Sequence, residues 1–93
     1  MKEEIYYIAT FKSKNYTMQI FSMLENLGYR RFELIPTPIS IGIGCNYSIK
    51  FKNLKDLLIV KDAAYNIDTQ IKNLYSIEKK DGRKIIQDKS HLI

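Results

Sequence analysis

The apolar residues of this chain fall into short blocks, and the spacing within each block points to a different element. Ile5-Tyr6-Tyr7-Ile8-Ala9-Thr10-Phe11 is β-branched and aromatic, carries no breaker and is short, which predicts a buried strand. After Lys12 the period lengthens. Tyr16, Ile20, Leu24 and Leu27 follow at steps of four, four and three, one face of a helix over 13–27. Ser13 is placed to cap its start, and Gly28 stands where a left-handed residue would end it. Phe32 to Ile35 predicts a second strand, stopped by Pro36-Thr37-Pro38, whose two prolines are expected to prevent regular ladder pairing. Ile39-Ser40-Ile41-Gly42-Ile43-Gly44-Cys45 is apolar yet punctuated by glycine. The stretch 46–52 then alternates, with Tyr47, Ile49 and Phe51 on one face and Ser48, Lys50 and Lys52 on the other.

Asn53 is a candidate cap for a second helix over 53–66, carried by Leu54, Leu57, Leu58, Val60, Ala64 and Tyr65. Beyond it the period is ambiguous. Ile67, Ile71 and Leu74 continue the helical spacing, whereas Ile71, Tyr75 and Ile77 fit a strand. The reading adopted ends the helix at Asn66, as a left-handed C′ residue, and places a strand over 70–79. Asp81-Gly82 is a hairpin signal, with Arg83 to Gln87 returning as a short edge strand. Residues 88–93 are expected to fray. The order βαββαβ plus a hairpin strand predicts an α+β, ferredoxin-like domain over 1–87, an antiparallel sheet with both helices on one face.

That plan leaves one sheet face to be covered. Tyr6, Ile8 and Thr10 point away from Tyr7, Ala9 and Phe11, so the first strand is apolar on both sides. The expectation drawn here is a homodimer through Tyr6 and Ile8, with Lys50 and Lys52 on its rim or facing acids such as Glu78. Cover by the chain's own hairpin strand and tail is one alternative. Stacking of RNA bases on sheet aromatics is another, although no stretch has the aromatic-rich pattern of an RNA-recognition motif.

Composition narrows the function classes. Ninety-three residues, 45% apolar and 27% charged, suit one globular domain. No apolar run approaches the roughly 18 residues of a membrane span, and the start Met1-Lys2-Glu3-Glu4 is unlike a basic signal peptide, so a cytoplasmic protein is expected. One cysteine, Cys45, and one histidine, His91, supply neither an intramolecular disulfide nor a Cys/His metal site. The net charge is +5, but the lysines are interspersed with aspartates, which reads as a solvated basic surface more than a nucleic-acid groove.

Serine triads, paired catalytic carboxylates and phosphate-binding loops are missing, so no classical enzyme activity is expected. Cys45 remains. Its plain reading is a small buried hydrophobe. Its chemical reading starts from Gly42 and Gly44, which let successive N–H groups of Gly44, Cys45 and Asn46 converge on the sulfur and favour the thiolate. Pro36 and Pro38 would stiffen the loop, and Lys50 or Lys52 could add positive field.

Three features together resemble a small bacterial family of selenium/sulfur carrier-like proteins. These are a first strand ending Thr10-Phe11 with Ser13 behind it, the Pro36-Thr37-Pro38 segment, and Ser40 and Cys45 leading into an alternating strand. The stretch 71–77, with Leu74-Tyr75, resembles that family's last strand. Two positions depart from its pattern: Asn46 stands where glycine normally follows the cysteine, and Ile39 where a basic residue follows the second proline. The resemblance implies a cofactor-free carrier that holds a persulfide or selenium adduct on Cys45 and exchanges it with donor and acceptor proteins. The reading of another class is a regulatory or interaction module that works through its sheet face, nucleic acid included, with Cys45 incidental.

Overall fold

The computed structural model of the chain describes residues 4–41 and 47–93. The two-sided apolar strand becomes β1 (Glu4–Thr10), the middle of five strands. On one side it pairs with β3 (Tyr47–Phe51), which in turn pairs with β2 (Glu33–Pro36). On the other it pairs with β4 (Asn73–Lys80), followed by β5 (Arg83–Asp88). All four ladders are antiparallel, and the order β2-β3-β1-β4 is the ferredoxin-like arrangement, extended by β5.

Helices α1 (Lys14–Asn26) and α2 (Leu57–Asn66) sit against the face bearing Ala9, Phe11, Ile49, Phe51 and Leu74. Ile20, Leu24 and Val60 close this core from the helix side without exposed surface, and the rings of Tyr7 and Phe51 stack at 5.8 Å. The Ser13 hydroxyl accepts from the Tyr16 N–H at 3.4 Å, as its position predicted. Gly28 takes φ +91°, and the N–H of Tyr29 donates to the Leu24 carbonyl at 3.1 Å, the reverse turn that a left-handed residue after a helix permits.

Several expectations are corrected at element ends. Asn53 makes no side-chain capping bond, and α2 is entered through a 3-10 turn, Leu54–Asp56. The buried Asp56 accepts from Arg31 Nε at 2.9 Å instead of fixing the helix start. The left-handed residue after α2 is Asp68, at φ +57°, rather than Asn66. The N–H groups of Ile67 and Thr69 both return to the Ala64 carbonyl, closing the turn after α2, and β4 begins at Asn73, three residues later than the strand expected over 70–79. Asp81 and Gly82 both take positive φ, the tight hairpin turn their dipeptide predicted. Pro36 does join a ladder, opposite Tyr47, because β2 is an edge strand and one N–H can be spared there. The expected frayed tail is pinned: Lys89 N–H donates to the Leu74 carbonyl at 2.7 Å, and the Ser90 hydroxyl accepts from Leu74 N–H at 3.0 Å. Ser90 also holds the Asp88 carboxyl below the usual carboxylate range, through its hydroxyl and its N–H.

The sheet face opposite α1 and α2 is covered in its middle by the chain itself. Tyr6, Ile8 and Ile77 are buried, with Ile35, Ile41, Tyr75 and Ile86 packed around them. Ile8 has no exposed surface and Tyr6 only 7%, and the Lys50 ammonium lies 4.3 Å from the centre of the Tyr6 ring. Burial first, and Glu4 second, push the Tyr6 phenol above its ordinary pKa. The exposed Tyr6–Ile8 patch on which the homodimer expectation rested is therefore absent. Ile86 of the hairpin strand contributes to the cover, as the own-chain alternative held. Ile41 of the β2–β3 connection contributes as well, and the sequence did not reveal that. Where this connection leaves the sheet, the hydroxyls of Thr37 and the fully buried Ser48 share a hydrogen bond of 2.6 Å.

Two stability measurements check this packing. Ile8→Lys places a charge where no solvent reaches and should destabilise the single chain by about 3 kcal/mol or more in urea unfolding. A variant that unfolds like the wild type would contradict the closed face. Ser48→Ala removes one partner of the stem hydrogen bond and should cost about 1 kcal/mol in the same measurement.

Candidate functional site

Cys45 belongs to the β2–β3 connection and lies outside the described residues, together with Gly42, Gly44 and Asn46 and the backbone nest expected there. Both stems of the connection are described. On the β2 side, Pro36 pairs in the ladder, Thr37 bonds to Ser48, and the Pro38 carbonyl accepts from Ile41 N–H at 3.0 Å, closing a turn. Ile39, which stands where the family pattern has a basic residue, is 97% exposed on that turn, and Ser40 is exposed beside it. Ile41 then returns to the buried Tyr6–Ile8–Ile77 cluster. The first stem thus leaves the sheet, turns and is anchored again four residues before Cys45.

On the other side the chain re-enters the sheet at Tyr47. Because β3 runs antiparallel to β1, with Ala9 opposite Ile49, Tyr47 enters beside the end of β1. That is where α1 begins, and the Lys14 ammonium lies 5.3 Å from the centre of the Tyr47 ring. The Lys72 N–H donates to the Thr10 carbonyl at 2.8 Å, which draws the α2–β4 turn to the same end. Lys12, Lys14 and Lys72 are all exposed there, none in an ion pair with a described residue, and the first turn of α1 carries no acid. The positive end of the helix adds to their field. An anion at this end of the sheet would be stabilised, and a thiol there would ionise more readily.

The lysines singled out from the sequence lie elsewhere. Lys50 and Lys52 share the strand face opposite Tyr47, as alternation implied, but Lys50 is engaged over Tyr6. Lys52 is five residues beyond Tyr47, about 17 Å along an extended strand and past a physiological screening length. It lines a small cleft with Arg30, Arg31 and Glu33. Residue types alone could not have found Lys12, Lys14 and Lys72; the signal was the antiparallel register, which brings the start of β3 to the end of β1.

Tyr6, one of the sheet aromatics, is buried and lies under the Lys50 ammonium. Among the described residues no group of three or more His, Cys, Asp or Glu side chains is placed to hold a metal ion. Among those residues, too, no helix is long and apolar enough to cross a membrane.

No curated protein and no solved structure matches the chain. A family profile does, from β1 into β4, and it takes in both helices, the Pro36-Thr37-Pro38 stem, Cys45 and the β3 strand that follows. Over residues 6–76 the chain belongs to the family described as "Putative Se/S carrier protein-like".

Proposed function

We propose that this protein is a stoichiometric carrier that holds sulfur or selenium on Cys45. The observation that carries the reading is the family match itself, which spans the only cysteine of the chain. The geometry supports it. Both stems of the Cys45 connection are anchored, by the Thr37–Ser48 hydrogen bond and by Ile41 in the sheet cluster. The strand that follows enters the sheet among Lys12, Lys14 and Lys72, at an end that favours a thiolate over a thiol.

The transfer balances without an added oxidant or reductant. The Cys45 thiolate attacks the terminal sulfur of a donor protein's cysteine persulfide. A new S–S bond forms on Cys45 as the donor's S–S bond breaks, and the bonding pair leaves with the donor thiolate. Selenium moves in the same way when it replaces the terminal sulfur. An acceptor nucleophile then repeats the step on the loaded Cys45. The donor and acceptor are partner proteins in this reading, and the chain needs no bound cofactor.

Intact-mass measurement after incubation with a cysteine desulfurase and cysteine tests the proposal. The wild type is expected to gain the mass of one sulfur, which a thiol reductant removes, and Cys45→Ala to gain none. Equal labelling of both proteins, or none on the wild type, would overturn it.

A further inference from the structure

The basic end of the sheet holds a second feature, which does not depend on Cys45. An open cleft of about 710 Å³ lies between the start of α1 and the α2–β4 turn. This volume falls within the range of small-molecule sites, about 300–1,000 Å³. Its lining combines two kinds of group. Lys12 and Lys72 supply two ammonium groups, neither in an ion pair with a described residue, and Asp68 is the one acid among the lining side chains. Tyr16 and Tyr65 supply two aromatic rings, and Tyr65 is 80% exposed although it stands on a helix whose neighbouring positions Ala63 and Ala64 are buried.

The cleft is shaped by backbone contacts as much as by side chains. The left-handed Asp68 turns the chain sharply after α2, with its N–H on the Tyr65 carbonyl at 3.1 Å. The bond from Lys72 N–H to the Thr10 carbonyl then fixes the far end of the turn against β1, two residues before Lys12. The two lysines are thus carried on segments tied to one another, and the rings stand on two different helices.

Apolar ligands would leave both ammonium groups without a counter-charge, and a bare inorganic anion would leave both rings unused. A planar ring joined to a phosphate satisfies both. We propose that this cleft binds a nucleoside monophosphate, with the phosphate between Lys12 and Lys72 and the base against the rings of Tyr16 and Tyr65.

The test is an amide chemical-shift titration of the full chain with AMP, with adenosine and inorganic phosphate as separate arms. AMP is expected to shift residues 12, 16, 65 and 68–72 and to saturate with a dissociation constant below about 1 mM. Lys12→Glu/Lys72→Glu should weaken AMP at least tenfold, whereas Lys84→Glu on β5 and Cys45→Ala should leave it unchanged. Adenosine and phosphate should each bind more weakly than AMP. No shifts at these residues, an unaffected double lysine variant, or adenosine or phosphate binding as tightly as AMP would each overturn the proposal. The Cys45→Ala arm separates this result from the carrier reading, since AMP binding there survives the loss of the sulfur site.

Discussion

The fold depends on burying one strand from both sides. Ile8 and Ala9 are adjacent in β1, point to opposite faces of the sheet, and neither has exposed surface. Two helices cover the Ala9 side, which is the ordinary solution for a βαββαβ chain. Among the described residues no helix lies on the Ile8 side, and a sheet face of Tyr6, Ile8 and Ile77 left open to water would be an apolar patch inviting association. This chain covers it with side chains from its own margins: Ile35 and Ile86 from outer strands, and Ile41 from the β2–β3 connection. The Lys50 ammonium lies over what remains of the Tyr6 ring. The connection that leads to Cys45 is therefore part of the core's cover, and its position is coupled to the packing of β1.

Much of this was legible because local chemistry and global fold agree. The helical stripe from Tyr16 to Leu24, the Ser13 cap, the Gly28 stop and the Asp81-Gly82 turn each follow from one residue's physics, and each stands where that physics places it. What could not be read depends on partners remote in sequence. Asn53 looked like a cap, yet the backbone there enters a tight 3-10 turn and Arg31, 25 residues away from Asp56, supplies the fixed contact. The cover of Tyr6 and Ile8 comes from residues as distant as Ile41 and Ile86, which no window over β1 includes. For the same reason the sequence pointed to Lys50 and Lys52, near Cys45 along the chain, whereas the strand register brings Lys12, Lys14 and Lys72 to the end where that chain enters the sheet.

A carrier that moves sulfur or selenium has modest structural needs. It requires one nucleophilic atom, an environment that favours its anionic form, and access for two partners in turn. In the proposed reading Cys45, the one cysteine of the sequence, would meet the first need without competing thiols. In the proposed reading, the second would come from the field of the lysines gathered around the end of β1 rather than from a dedicated base. Such a field is sensitive to salt and to charge reversal, and much less so to the identity of any single residue.

The proposal that Cys45 is the working atom, held as a reactive thiolate, is tested most directly by the pH dependence of its alkylation. With iodoacetamide at low ionic strength, the rate should titrate with a thiol pKa below the unperturbed value of about 8.5 and shift back toward it in Lys14→Glu. A thiol in the wild type that titrates at or above about 8.5 and reacts slowly would contradict the account.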